Sequence, residues 1–372
     1  ITNGAKINFE NITVTGGDTP KDGGGVYIDG DCDIQFSGST ITGNKAGGSG
    51  GGVYIHGPAS GPARGELSFY GGSISGNTAA GSHTSSADPG STQGGGGLYV
   101  GGRASIWLNN ATVANNTAEG GSGGGVLVNG SVFPGPDNSR SHATAEEYGL
   151  IMTEGNISGN KSMGSKSPHG GGGIYVAQGA FEMWGGEISG NTSKRQGGGV
   201  FIWHNADFRS SGNSRFINNT GVGSSKDICS RGYTTLAGHT RADRVYVWNN
   251  NGDNKYAEPD AFYIGEDARI TTGLVLAYDD TPSNPRTRNL VNVLVSASGT
   301  DRIANIDLEG HLTGDKFVDT DPEGDWLGVD LVDPIGANTA DIGRFTLGAF
   351  TGKGDVSLGP YTLDSDGRMV RR

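Results

Sequence analysis

Gly23-Gly24-Gly25-Val26-Tyr27-Ile28, followed by Phe36, Ile41 and Asn44, decides the fold of this chain, because it returns as Gly50-Gly51-Gly52-Val53-Tyr54-Ile55 with Phe69, Ile74 and Asn77. Aligned on the apolar residue after the Gly run, the copies are Phe36, Phe69, Leu108, Met152 and Met183. Five residues on come Ile41, Ile74, Val113, Ile157 and Ile188, and three more bring Asn44, Asn77, Asn116, Asn160 and Asn191. A sixth copy runs from Phe208 through Phe216 to Asn219 with a small insertion. Short degenerate units of this kind cannot bury an apolar face alone, so they are expected to stack.

Within each copy, Val26/Ile28, Val53/Ile55, Leu98/Val100, Val126/Val128, Ile174/Val176 and Val200/Ile202 are spaced by two. That spacing puts both residues on one face of a strand, inward, and turns Tyr27, Tyr54, Tyr99, Leu127, Tyr175 and Phe201 outward as a column. Strands this short that stack in register form parallel sheets, so the expected fold is all-β, a right-handed parallel β-helix. Regular repeats are expected over 1–221, irregular coils over 222–275, and a C-terminal β-rich capping region over 276–372.

Asn44, Asn77, Asn116, Asn160, Asn191 and Asn219 read as a structural ladder, each amide bonding to its equivalent one coil away and each residue taking the left-handed corner. The Gly runs supply turn geometry. A phosphate-cradling loop is excluded, since no helix follows the glycines.

The 372 residues include 70 Gly and 33% hydrophobic residues, without the Gly period of collagen. A net charge of −12 argues against a nucleic-acid surface, and no apolar run approaches the roughly 20 residues of a membrane span. The start at Ile1, on what reads as an incomplete rung with Ile7, Phe9 and Val14, suggests a piece of a longer multidomain chain. Cys32 and Cys229 are too far apart in the repeat order for a disulfide and are expected to be free thiols. Few cysteines in a polar Gly/Ser/Thr/Asn-rich chain fit an extracellular, secreted or cell-surface location.

The pattern GGGVYI with Phe69-Tyr70-Gly71-Gly72-Ser73-Ile74-Ser75-Gly76-Asn77-Thr78 resembles the right-handed β-helix repeats of bacterial cell-surface proteins, adhesin-like and pectin-lyase-like, over roughly residues 5–221. Ile303-Ala304-Asn305-Ile306, Arg344-Phe345-Thr346 and Tyr361 to Gly367 are similar to the tails of such proteins. The resemblance implies a surface module, a stalk or adhesin whose partner is a glycan or a host protein. The polygalacturonase elements (adjacent Asp-Asp, Gly-His-Gly, Arg-x-Lys) are missing from the repeats, as are the clustered calcium ligands of pectate lyases.

Insertions fall at Gly57 to Gly65, Thr78 to Gly94, Asn129 to Gly149 and Lys161 to Gly170, where loops add recognition surface at little cost to the core. On the second strand of each copy the outward residues form two columns. One is Gln35, Ser68, Trp107, Ile151, Glu182 and Asp207, and the other is Ser37, Tyr70, Asn109, Thr153, Trp184 and Arg209. Tyr70, Trp107 and Trp184 are candidate sugar platforms. Glu182 and Asp207, about 4.8 Å apart in one column, match the close carboxylate pair of a retaining glycosidase, with Arg209 to orient substrate. A carbohydrate-active enzyme, glycoside hydrolase or polysaccharide lyase, is therefore the alternative to the binding module.

No metal or cofactor is expected. The histidines are scattered, and although the Asp-rich turn Asp315 to Asp325 has the oxygens calcium accepts, it shows no EF-hand or RTX spacing. Ice binding is set aside for want of a repeated Thr-x-Thr.

Overall fold

The computed structural model describes residues 1–2, 4–61, 64–82, 92–130, 149–165, 170–203, 206–222, 226–249, 261–265, 268–279 and the strands at 291–296, 304–311, 329–332, 345–352, 361–363 and 369–371. Side chains are described up to residue 247 and at 268–270. Among the described residues there is no helix; the chain is all-β. Most strands belong to one 26-stranded sheet, within which each repeat, or rung, contributes one strand to each of three parallel ladders, called below the first, second and third sheet. The first sheet includes Val26–Asp29, Val53–His56, Leu98–Gly102 and Val126–Gly130. The second includes Lys6–Glu10, Asp33–Ser37, Gly65–Tyr70, Ala104–Asn109 and Gly149–Met152. The third includes Thr13–Thr15, Thr40–Thr42, Ser73–Ser75, Ala111–Ala114 and Gly155–Ser158. A narrow sheet of six short strands, from Asp18–Thr19 to Thr192–Ser193, closes each rung before the next Gly run.

The inward pairs behave as their spacing predicts. Val53, Ile55, Leu98, Val100, Val126, Val128, Ile174, Val176, Val200 and Ile202 are all fully buried in one core with the Phe36 and Ile41 columns. Inside it, Phe9, Phe36 and Phe69 stack with ring centroids 4.9 and 5.0 Å apart. Cys32 and Cys229 are both buried and form no disulfide.

The asparagine ladder is continuous. Nδ2 of Asn44 donates to Oδ1 of Asn77 at 3.0 Å, and the same bond links Asn77 to Asn116, Asn116 to Asn160, Asn160 to Asn191 and Asn191 to Asn219 at 2.9–3.0 Å. Each Oδ1 also accepts the backbone N–H of the preceding ladder residue, and each Nδ2 donates to a carbonyl of the previous rung, as Asn116 does to Ile74. The expectation that these asparagines take the left-handed corner is corrected. That conformation belongs to the residue just before, for example Gly76 (φ 63°) before Asn77 and Asn115 (φ 56°) before Asn116. The corner and the ladder are thus two jobs on neighbouring residues, which explains the Gly-Asn pairing in most copies.

Behind the ladder the Gly runs form a wall with no space for side chains. A Cβ on Gly51 would lie 2.4 Å from the Gly96 carbonyl oxygen, and one on Gly52 would lie 3.0 Å from Nδ2 of Asn77. Close approach to backbone and ladder, more than turn geometry, therefore demands glycine at these two positions.

The ladder ends on a carboxylate. Oδ1 of buried Asp227 accepts the backbone N–H and Nδ2–H of Asn219 at 3.3 and 2.8 Å, while Oδ2 accepts the N–H groups of Asp243 and Arg244 at 3.1 and 2.9 Å. Burial pushes this carboxyl above the usual carboxylate range, and the bonds from Asn219 and Arg244 oppose that shift.

Parallel pairing does not stop at 221 or at 276. Ile228–Ser230, Tyr233–Leu236 and the start of Arg241–Asn249 make a further full rung, and parallel partners continue to Phe345–Gly352. Among the described residues the one antiparallel pair is Tyr361–Leu363 with Met369–Arg371. The calcium-type turn at 315–325 lies outside the described residues, as do 131–148 of the longest insertion.

The third sheet corrects one exclusion. Its outward positions carry Thr13/Thr15, Thr40/Thr42 and Ser73/Ser75 in register, so a Thr-x-Thr pattern does repeat, though over only two rungs before serine takes over.

Candidate functional site

Two outward faces carry aromatic side chains. On the first sheet the predicted column exists: Tyr27 and Tyr54 stack at 5.1 Å with rings 4° from parallel, and Tyr54 and Tyr99 at 4.6 Å and 5°. Exposure is confined to its beginning. Tyr27 is 42% exposed, whereas Tyr99, Leu127, Tyr175, Phe201, Cys229 and Tyr246 are buried and form a second apolar cluster with Trp203 packed against it. The alternation places Tyr99, Leu127, Tyr175 and Phe201 outward, and it assigns a side of the sheet without saying what lies over it.

Burial raises the phenols of Tyr54, Tyr99 and Tyr175 well above their usual range. A folded pKa above the unfolded value of about 10 means that stability is intact below that pH and is lost as pH rises through the folded value. Alkaline titration followed by absorbance at 295 nm and by circular dichroism is expected to show a late fraction of the tyrosine ionisation, that of Tyr54, Tyr99 and Tyr175, arriving together with unfolding. Ionisation complete while the sheet signal persists would contradict the buried column.

The second face is the outer side of the second sheet, where the candidate site residues lie. Tyr70 is 47% and Trp184 43% exposed, the two most exposed aromatic side chains among the described residues. Trp107 is half-buried against Ile151 and Ala180. Trp184 meets Trp107 edge-on, with centroids 5.8 Å apart and planes at 84°. The two indoles form an L-shaped corner reaching across the rung that carries Thr153, whose hydroxyl donates to Oδ1 of Asn109 at 3.1 Å. Three predicted platform residues are therefore brought onto one face, and the two tryptophans into contact.

The predicted acid pair is not formed as expected. In the register of Ile174–Ser189 against Ala206–Ile217, Glu182 lies opposite Arg209, and Asp207 lies opposite Ala180. Asp207 moves to a separate column between Ala180 and Tyr233 and is buried, while Arg209 is exposed. The offset has a physical source. The Phe36–Phe69–Leu108–Met152–Met183 column continues to Ser210, and Phe208 instead stacks under Phe181 at 5.0 Å. A serine is tolerated at this inward position because its hydroxyl bonds that of Thr240 at 2.9 Å. Alignment on apolar residues alone therefore slid the sixth copy by two positions. Glu182 and Asp207 stand diagonally, which in a sheet separates side chains by about 7–8 Å, outside the close spacing of a retaining pair.

Among the described residues no group of three His, Cys, Asp or Glu is placed to hold a metal ion. His83, His142, His169 and His204 lie outside the described residues. Among the described residues no helix is long and apolar enough to cross a membrane. Compared with known proteins, the chain matches no family model, no curated protein and no solved structure.

Proposed function

We propose that this chain is a right-handed parallel β-helix module of an extracellular bacterial surface protein, a stiff stalk or adhesin segment that binds a glycan or a host protein on the outer face of its second sheet. The observation that carries the reading is the exposed indole of Trp184 set edge-on to Trp107, with Tyr70 on the same face. An exposed ring on a rigid strand costs little side-chain entropy when it stacks on the apolar face of a sugar. The opposed Glu182 and Arg209 beside it supply a hydrogen-bond acceptor and a donor for hydroxyl groups. The ladder supports this role indirectly, since it fixes the spacing of the strands that present these side chains. With Asp207 buried in another column, Glu182 and Asp207 lose the close spacing of a retaining pair.

A glycan-array screen with product detection on mucin, milk and plant oligosaccharides tests the reading. Retained ligand without products is expected, and Trp184→Ala should weaken binding by roughly tenfold, the scale of one stacking contact. Release of cleaved products that stops in Glu182→Gln would overturn it in favour of an enzyme.

A further inference from the structure

Building on the glycan reading of the second sheet, we infer that the ligand is an uncharged, extended chain of β-linked pyranose units, of the cellulose, xylan, mannan or chitin kind. It lies along the direction in which the rungs stack, so that consecutive sugar units meet Tyr70, Asn109, Thr153 and Trp184. Those residues form one outward column. Tyr70 pairs in register with Asn109. Leu108 pairs with Met152, and Met152 with Met183, which brings the next residue of each strand, Asn109, Thr153 and Trp184, into the same line.

Spacing is the first reason. Neighbouring strands stand about 4.8 Å apart, close to the length that one unit adds to such a chain, so units and rungs stay in step. Tyr70 and Trp184 are three rungs apart, about 14 Å, and fall under the first and fourth units. Both are exposed, and each can stack on the apolar face of a sugar ring. Between them Asn109 is exposed and Thr153 half-buried. Their mutual bond uses the Asn109 oxygen, which leaves the amide NH2 group to donate to hydroxyls of the middle units. The asparagine ladder keeps the step constant, since its bonds from rung to rung here are all 2.9–3.0 Å.

Burial on the flank sets the direction. Ser105, Ile151 and Ala180 also point outward, by alternation with the inward Ile106, Met152 and Phe181, yet all three are buried. The accessible face is therefore a strip, narrow across the strands and long along the stack of rungs. A chain laid across the strands meets the covered flank, whereas one laid along the stack meets the whole column. Composition sets the ligand class. The column holds two aromatic side chains, an amide and a hydroxyl, with no Asp, Glu, Lys or Arg. A net charge of −12 further disfavours a polyanion such as a uronate chain.

Calorimetric titration of the 372-residue chain with gluco-, xylo-, manno- and N-acetylglucosamine oligosaccharides of two to six units tests this. In at least one series the tetrasaccharide is expected to bind about tenfold tighter than the trisaccharide, the scale of one added stacking contact. Longer members should gain little more. Tyr70→Ala should lower the tetrasaccharide to the affinity of the trisaccharide and leave the trisaccharide nearly unchanged, a pattern that loss of fold does not produce. Affinity independent of length, or a tetrasaccharide indifferent to Tyr70→Ala, overturns the extended chain. If Trp184→Ala still weakens binding in that case, the glycan reading stands without it. Tighter binding of oligouronates than of the neutral series overturns the uncharged class. Failure of all four series to bind overturns the proposal as well. Retention of a branched or terminal glycan on the array would then keep the glycan reading, and an array that retains nothing removes both.

Discussion

Asn116→Ala is expected to lower the unfolding free energy by about 4 kcal/mol, because it strands buried donors that no water can reach. Asn116 is fully buried at the middle of the ladder. Its Oδ1 accepts both the N–H and Nδ2–H of Asn77, and its Nδ2 donates to Asn160 and to the Ile74 carbonyl. Alanine leaves the two Asn77 donors without an acceptor, at about 1–3 kcal/mol each. Asn44, at the beginning of the ladder, accepts only the Gly17 N–H through its Oδ1, so Asn44→Ala should cost about half as much. Urea titrations of the two variants check the gradient. Equal losses, or losses under about 1 kcal/mol, would mean that the ladder is not a cooperative support.

Asp227→Asn is expected to cost about 3 kcal/mol although the replacement is isosteric, since an amide has one accepting oxygen where four donors converge. Whichever way the new amide turns, its NH2 meets either the two donors of Asn219 or the backbone N–H groups of Asp243 and Arg244. A thermal unfolding scan should show a lowered midpoint for Asp227→Asn, with the loss concentrated in the rungs after residue 219 when followed by hydrogen exchange. An unchanged midpoint would imply that the carboxylate can be replaced by a donor without penalty.

These two residues mark what could and could not be read in the sequence. Asn116 was legible because it recurs at a fixed distance from Val113 and Leu108, and periodicity exposes any residue the coil needs in every turn. Asp227 was not, because it occurs once, after an irregular segment, and does its work through partners from Arg241–Asn249 that no local pattern indicates. The inward and outward alternation of the first strands was legible for the same periodic reason. Burial of Tyr175 and Phe201 was not, since alternation assigns a side of the sheet and says nothing about what lies over it.

The candidate site shows the same division. Tyr70, Trp107 and Trp184 were found because they break a pattern of small polar residues on an outward column. The mistake lay in rung six, where Ser210 occupies an inward position that an apolar residue had filled in the five rungs before. A buried Ser210–Thr240 bond replaces apolar contact there, and reasoning from hydrophobicity alone has no means of seeing it. The consequence is chemical, because moving Asp207 by two residues replaces a supposed acid pair by Arg209 in register with Glu182 on the face of the two indoles.

Register in this rung is thus the claim that separates the binding reading from a retaining acid pair, and paired cysteines measure it directly. In-register parallel neighbours stand about 4.8 Å apart, within reach of a disulfide, whereas diagonal neighbours at about 7–8 Å are not. Under mild oxidation, Glu182→Cys combined with Arg209→Cys should form an intramolecular disulfide, and Glu182→Cys combined with Asp207→Cys should stay reduced. Crosslinking of the second pair in preference to the first would restore the adjacent carboxylates and contradict the account.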